Sequence, residues 1–184
     1  VGRGVSYCAT CDGAFFRNVP IAVIGGGDTA AEEAVYLTRF ASKVYLVHRR
    51  DEMRTTKILQ NRVFENEKIE MVWDSVVAGL DSDNTGLTGV RVENVKTGEQ
   101  RALEAVGMFV AIGVTPITRF LGGLVDLDES GYIKAVESTH TSIPGIFAAG
   151  DCRTSYLKQV STAVGDGAVA ATQIEKYIED LKHS

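Results

Sequence analysis

Two cysteines lie two residues apart near the start of the chain, Cys8 and Cys11, in the stretch S-Y-C-A-T-C-D-G. Such a pair can supply two of the four ligands of a zinc ion, form a structural disulfide or act as a redox dithiol. A zinc site needs four ligands, and the chain adds only one more cysteine, three scattered histidines and ordinary carboxylates. A structural disulfide that closes so short a loop would stabilise the fold little. The pattern therefore favours redox chemistry over the other two, and no metal site is expected.

A carboxyl group, Asp12, directly follows the second cysteine. A free thiol titrates near about 8.5 and must lose its proton to act as a nucleophile. A thiolate that leaves a disulfide must take a proton up again. Asp12 can exchange that proton, and a solvated loop aspartate is the alternative interpretation.

The spacing Gly25-x-Gly27-x-x-Ala30 is that of a dinucleotide-binding turn. It follows a short apolar run and opens a segment with apolar residues at helical spacing. Gly25 permits the tight turn, Gly27 lets the backbone approach a pyrophosphate, and Ala30 allows close packing of helix on strand. The free N–H groups at the start of the helix would face the anion. In this context the motif predicts nucleotide binding rather than a merely structural turn.

A basic cluster follows about 20 residues later, where NAD-binding folds carry an acidic residue for the ribose hydroxyls. This sequence has His48, Arg49 and Arg50 there, with Arg54 one helical turn beyond. Arginines would pair with a 2′-phosphate, each charge-assisted contact contributing roughly 1.5–3 kcal/mol. The sequence therefore predicts NADP(H) over NAD(H). A solvated basic helix start is the alternative.

The dithiol lies about ten residues before the strand that opens the nucleotide-binding unit. A nicotinamide delivers two electrons as a hydride, and a disulfide accepts them best through a mediator that bonds to sulfur. Flavin is the usual mediator. The chain is therefore expected to contain, or to belong to a protein that contains, a flavin site.

The overall composition is that of an ordinary soluble protein that can form a core. The chain has 184 residues, 45% of them hydrophobic, and a net charge of −5. An acidic chain is unlikely to bind nucleic acid through a general surface, because both carry negative charge. No apolar run approaches the roughly 20 residues that a membrane span needs. The start of the chain also lacks the layout of a signal peptide. We expect a soluble, cytoplasmic protein without nucleic-acid or membrane partners.

Short apolar runs indicate a parallel sheet. They are Pro20–Gly25, Lys43–Val47 and Gly107–Gly113. The segment from Gly25 to Phe40 has helical spacing, so the first two runs form a βαβ unit. A second helix is predicted between Arg54 and Asn66.

The middle of the chain reads as strands separated by turns, a β-meander inserted before the run at Gly107. The four strands expected in it are Ile69–Trp73, Ser75–Leu80, Leu87–Val95 and Arg101–Leu103. Beyond a linker at Gly113–Thr118, the sequence predicts a strand over Gly145–Asp151 and a helix within Val160–Leu181.

Five segments together closely resemble low-molecular-weight thioredoxin reductase, in order and in separation. They are Gly2–Gly13, Ala22–Ala30, Val47–Arg54, Phe109–Gly113 and Thr141–Asp151. The resemblance runs through nearly the whole chain, and it is far more specific than any one motif.

The resemblance implies a two-domain flavoenzyme, a homodimer in its full-length form. In it NADPH reduces FAD, FAD reduces a Cys8–Cys11 disulfide, and the dithiol reduces a thioredoxin. By position, Cys11 would lie nearest the flavin, Cys8 would be the interchange thiol, and Asp12 would be the acid–base residue.

The resemblance also implies which residues bind the cofactors. The NADPH residues would be Gly27, Asp28 and Thr29 at the pyrophosphate and Arg49, Arg50 and Arg54 at the 2′-phosphate. Gly25, His48 and Ile112 are also expected to bind cofactor. The FAD residues would be Gly150, Asp151, Lys158, Gln159 and Val160.

The FAD domain of this family begins with its own strand, glycine-rich turn and helix before the cysteines, and nothing precedes Val1 here. The chain is therefore expected to be α/β: a Rossmann-like βαβ NADP-binding domain with the dithiol (1–114), then the C-terminal part of an FAD-binding α/β domain (115–184). Alone it should bind NADPH better than FAD and have little reductase activity. The alternatives are a flavoprotein disulfide reductase of a peroxiredoxin system, which Ala9 and Thr10 argue against, and an inactive NADP-binding fragment.

Overall fold

The computed structural model describes residues 2–136 and 138–183. The chain divides into two compact units, Val1–Gly113 and Val114–Ser184. The elements of the first unit are β1 (Val5–Ser6), α1 (Ala9–Asp12), β2 (Pro20–Ile24), α2 (Asp28–Leu37), β3 (Lys43–Val47), α3 (Lys57–Phe64), β4 (Ile69–Val72), β5 (Ser75–Ser82), β6 (Leu87–Asn94), β7 (Gln100–Leu103) and β8 (Gly107–Val110). The predicted α/β class is confirmed.

The first unit is built around a parallel sheet of five strands in the order β1-β8-β2-β3-β4. β2 and β3 pair in parallel, with Ile21 opposite Val44, and α2 connects them. This is the predicted βαβ unit. β8 lies on the other side of β2, so the glycine turn that follows β2 sits between the ends of two neighbouring strands.

Side chains of the central strands alternate between two cores, as the period of a strand requires. Ile21, Val23 and Phe109 are fully buried against the helical side, which includes Ala34 and Leu37 of α2. Their neighbours face an antiparallel sheet in the order β5-β6-β7, whose buried residues include Val90, Val92 and Leu103. The unit therefore has three layers: helices, parallel sheet and antiparallel sheet.

The predicted extent of the meander is wrong at its first strand. Ile69–Val72 pairs in parallel with β3, with Val44 opposite Ile69, and belongs to the parallel sheet. The reason is that α3 is a second crossover, which returns the chain to the same sheet in the same direction. The meander consists of β5, β6 and β7 alone. β1, only two residues long, was not predicted.

The second unit contains a long helix, α4 (Val160–His183), which confirms the predicted helix and extends it. The predicted strand over Gly145–Asp151 is wrong. Phe147 makes a single antiparallel bridge with His140, and Gly150–Cys152 forms a 3-10 turn instead. Among the described residues of this unit no parallel strand lies alongside this run, so a buried ladder does not form. None of the described helices is long and apolar enough to cross a membrane.

Candidate functional site

The glycine turn joins β2 to α2 and is held by main-chain contacts. Gly25 donates its N–H to Val47 O at 3.0 Å. Its φ of +152° is one that side chains rarely adopt, and an added Cβ would lie 2.3 Å from Ala111 O. A Cβ added to Gly27 would meet nothing within 4 Å. Gly25 is therefore required by the fold, whereas Gly27 leaves open space above the start of α2.

We expect Gly25→Ala to lower the free energy of unfolding by at least about 2 kcal/mol, because it combines backbone strain with a steric clash. Gly27→Ala should change it by less than about 1 kcal/mol. Urea unfolding of both variants measures the difference. Equal destabilisation by the two substitutions would contradict the assignment of Gly25 to the fold and Gly27 to the open site.

A cavity of about 460 Å³ opens at the carboxyl ends of β2, β3 and β8, the edge where ligands bind in parallel α/β sheets. Most of the sequence-predicted nucleotide residues line it. They are Gly25, Gly27, Asp28, Thr29, His48, Arg49, Arg54 and Ile112. Ile112 is 74% exposed and offers an apolar surface at the mouth.

The side chain of His48 packs against the glycine turn. Its ring is only 4% exposed, and its Nε2 lies 3.1 Å from Glu52 O. A Cβ added to Gly26 would lie 2.2 Å from His48 Nδ1, so ring and turn are in close contact. Burial lowers the pKa of His48, and the neighbouring charges of Arg54 and Arg50 lower it further. His48 therefore contributes a buried packing surface beside the glycine turn.

The loop after β3 carries three exposed arginines: Arg49, Arg50 and Arg54. Arg54 donates its N–H to Gly26 O at 2.7 Å, which ties the loop to the glycine turn. Within the described ranges, none of the three guanidinium groups forms an ion pair with a carboxylate. Their positive charge is thus available to an anion bound beside the turn.

A second cavity of about 440 Å³ shares Arg49 and Arg54 with the first and also contains Lys96. Lys96 Nζ lies 2.7 Å from Asp51 Oδ2 and 2.9 Å from Asp74 Oδ1. This contact lowers the pKa of Asp51. Both carboxylates line the same cavity as the arginines, and both are paired with Lys96. No sequence signal pointed to Lys96, because it lies in the β6–β7 turn, far from the motif.

Cys8 and Cys11 are joined in a disulfide at the start of α1. Cys8 is the N-cap of that helix, and its Sγ accepts the Cys11 N–H at 3.2 Å. Cys11 is exposed and Cys8 is half-buried. The structure also places Asp12 at the end of the same short helix, and Ser6 Oγ donates to Asp12 Oδ2 at 2.6 Å. Ser6 was not predicted as a site residue.

Glu33 of α2 reaches the same helix. Its Oε1 accepts the Ala9 N–H at 3.4 Å, while its buried Oε2 has no hydrogen-bond partner among the described residues. Burial raises the pKa of the Glu33 carboxyl. α2 therefore touches both sites of this unit, because its first residues line the cavity and Glu33 contacts the dithiol helix.

The remaining predicted residues lie together in the second unit. Gly150 has a φ of +77° and donates its N–H to Asp166 Oδ2 at 3.0 Å. Lys158 Nζ donates to Asp151 O at 3.3 Å, and the Asp151 side chain is exposed. Gln159 is half-buried just before α4, and Val160, the first residue of α4, is exposed. The described residues contain no group of His, Cys, Asp and Glu suited to a metal ion.

The family model described as "Pyridine nucleotide-disulphide oxidoreductase" matches residues 1–167. Curated relatives include the "Thioredoxin reductase" of Listeria monocytogenes, 46% identical over 183 residues, covering 100% of this chain and 57% of that protein. The "Thioredoxin reductase, mitochondrial" of Kluyveromyces lactis is 49% identical, covering 98% of this chain and 52% of that protein.

Among solved structures, the thioredoxin reductase from Streptococcus pyogenes superimposes with a TM-score of 0.92 at 49% identity. That match covers 97% of this chain and 58% of the other. The chain thus spans little more than half the length of the curated relatives it matches. It belongs to the pyridine nucleotide-disulphide oxidoreductase family, a membership that implies the use of a nicotinamide nucleotide and a flavin in general terms.

Proposed function

We propose that the chain carries the NADPH site and the redox dithiol of a thioredoxin-disulfide reductase. Electrons pass from NADPH through FAD to the Cys8–Cys11 disulfide and then to thioredoxin. The observation that carries the proposal is the placement of a disulfide and an arginine-flanked dinucleotide turn on one compact unit. The relatives named thioredoxin reductase support this partner over the disulfide of a peroxiredoxin system.

The cavity fits NADPH. Gly27 leaves the space that a pyrophosphate needs, and α2 begins directly after it, so the unpaired N–H groups of a helix start are suited to bind that anion. Arg49, Arg50 and Arg54 supply planar donors suited to a 2′-phosphate, and Ile112 offers an apolar surface at the mouth. A predominantly apolar wall with a few charged groups is typical of a cofactor site.

The dithiol residues perform the thiol chemistry. A bound flavin supplies the conversion of a hydride into an electron pair that a disulfide can accept. When the disulfide is reduced, its sulfur–sulfur bond breaks and each sulfur leaves as a thiolate. Asp12 holds a proton for one of these sulfurs, and Cys8, as a thiolate, bonds to one sulfur of the thioredoxin disulfide, whose sulfur–sulfur bond breaks. Cys11 then bonds to the Cys8 sulfur, which re-forms the Cys8–Cys11 disulfide and releases the second thioredoxin thiolate.

The second unit fits part of a flavin site. Asp151 is exposed for a polar contact and the Gly150 turn lies beside it, but the Gly150 N–H is already used by Asp166. Gln159 and Val160 remain proposals for the ring end of that site. The homodimer, the cytoplasmic location and the lack of nucleic-acid or membrane partners also stay predictions.

A two-arm experiment tests the proposal. The chain is reduced with dithiothreitol, freed of it, and mixed with oxidised thioredoxin. The thioredoxin disulfide should be reduced to two thiols as the Cys8–Cys11 disulfide forms again. A reduced chain that reacts with small disulfides and leaves thioredoxin oxidised would contradict the proposed partner. In the second arm, NADPH and FAD replace the prior reduction. Little turnover is expected there, because the described residues fit only part of a flavin site.

A further inference from the structure

The hydroxyl of Ser6 contacts both Cys8 and Asp12 in the dithiol segment, and it takes no part in the thiol chemistry of Cys8, Cys11 and Asp12. The Ser6 side chain is 3% exposed. Its Oγ accepts the Cys8 N–H at 3.1 Å and lies 2.6 Å from Asp12 Oδ2. Cys8 O is a more distant acceptor at 3.4 Å. A serine hydroxyl has a single proton to donate. Ser6 therefore donates it to the nearer acceptor, Asp12 Oδ2.

The backbone of Ser6 is held in place by the parallel sheet. It is the last residue of β1, and its backbone pairs with Phe109 of β8 in the parallel sheet. Asp12 is tied to the same segment, since its N–H donates to Cys8 O at 3.1 Å. The hydroxyl therefore connects the sheet to a carboxylate on the four-residue dithiol helix.

We propose that Ser6 is a positioning residue that orients the Asp12 carboxylate toward the dithiol. Within the described part of the chain, Oδ2 makes the hydrogen bond of this carboxylate and Oδ1 makes none, so Oδ1 remains for the proton of a thiol. Without the Ser6 proton, the carboxylate would rotate and present Oδ1 only part of the time. The proposal rests on the acid–base role proposed for Asp12.

Exchange with dithiothreitol isolates this step without nucleotide or flavin. A dithiothreitol thiol gives its proton to Asp12 Oδ1, and its sulfur bonds to one sulfur of the Cys8–Cys11 disulfide. That disulfide bond breaks, and the departing sulfur takes the proton from Asp12. The second dithiothreitol thiolate then closes the cyclic disulfide and releases the other cysteine. The chain is reduced by two electrons and dithiothreitol is oxidised by two.

Tyr7 and Glu33 are the titratable residues that adjoin this step most closely: Tyr7 directly precedes Cys8, and its side chain is exposed. On the elements packed against α1, Glu33 of α2 makes the described contact, through the Ala9 N–H. The 3-10 turn Gly13–Phe15 and β8 contain no titratable residue. Glu33→Gln is therefore the background in which the effect of Ser6 must persist.

The experiment compares matched variants of the full chain. Thr and Val have nearly the same volume, so Ser6→Thr and Ser6→Val share any steric effect and differ in the hydroxyl; Ser6→Ala is a third variant. The rate of reduction by dithiothreitol is measured between about pH 6 and 9, the range over which thiols titrate. Each variant is also made in the Asp12→Asn background.

Ser6→Val and Ser6→Ala should slow reduction about tenfold and give the pH profile of Asp12→Asn, while Ser6→Thr stays within about twofold of the parent. In Asp12→Asn, and only there, the loss of the Ser6 hydroxyl should have no further effect. Unchanged rates in Ser6→Val would overturn the proposal, and so would additive effects, which would assign Ser6 to the Cys8 backbone. Neither result would affect the NADPH and thioredoxin tests, which do not depend on Ser6.

Discussion

A chain with Cys11→Ser is expected to form a covalent mixed disulfide with thioredoxin, at least about tenfold faster than a chain with Cys8→Ser. The Cys11 N–H that donates to Cys8 Sγ is a main-chain group, so it survives the substitution at Cys11 and continues to stabilise a thiolate on Cys8. The double variant, Cys8→Ser with Cys11→Ser, should not react above background.

Thioredoxin carrying thionitrobenzoate on its exposed cysteine measures this reaction. The Cys8 thiolate bonds to the thioredoxin sulfur, and thionitrobenzoate leaves as a coloured thiolate. Far-UV circular dichroism of both single variants provides the control for folding. Faster capture by the variant that retains Cys11 would reverse the assignment of the interchange thiol. Equal capture by both would show that the helix does not distinguish its two sulfurs.

Replacing all three loop arginines, Arg49→Gln with Arg50→Gln and Arg54→Gln, should weaken NADPH binding at least about 100-fold. Each charge-assisted contact to a phosphate contributes roughly 1.5–3 kcal/mol, and about 1.4 kcal/mol is a tenfold change in affinity. NADH lacks the 2′-phosphate, so its affinity should change less than about threefold.

Arg62→Gln is the matched control, because Arg62 is an exposed arginine of α3 outside both cavities. It should leave the affinities for both nucleotides unchanged. Adenosine 2′,5′-bisphosphate should displace NADPH from the parent chain and fail to displace NADH from the triple variant at the same concentration. If the triple variant lost NADH and NADPH binding equally, the arginines would hold the loop and not the 2′-phosphate.

The parts of the fold that local chemistry determines could be predicted from the sequence. Strands β2, β3 and β8 are predicted by their apolar runs, and the turn is predicted by the spacing of Gly25 and Gly27. Each of these patterns reflects the local burial or backbone conformation of its own residues. Ile69–Val72 was misplaced because its pattern does not show whether the next partner is parallel or antiparallel. The direction of pairing is decided by α3, which connects β3 to this strand as a crossover. The residues of the strand itself carry no information about that connection.

Three site residues could not be predicted from the sequence, and the reason is a different one. Ser6, Glu33 and Lys96 come from three separate elements, and each acts through a contact distant in sequence or made by a common residue type. A serine before a cysteine, a glutamate within a helix and a lysine in a turn carry no signal alone. Only the tertiary placement of α2 brings Glu33 to the dithiol, and only that of the β6–β7 turn brings Lys96 to the arginine loop. Ser6 is close to Asp12 in sequence, but its contact depends on how the chain turns from β1 into α1.

The affinity of the unaltered chain for NADPH relative to NADH, measured by titration calorimetry, tests the nucleotide site most directly. The site combines a turn open to a pyrophosphate with Arg49 and Arg54 at its wall and Arg50 in the adjoining cavity, and the three arginines have no carboxylate partner among the described residues. Binding of NADPH at least about 100-fold tighter than NADH is the predicted result. Equal affinity for the two nucleotides, or no binding of either, would contradict it.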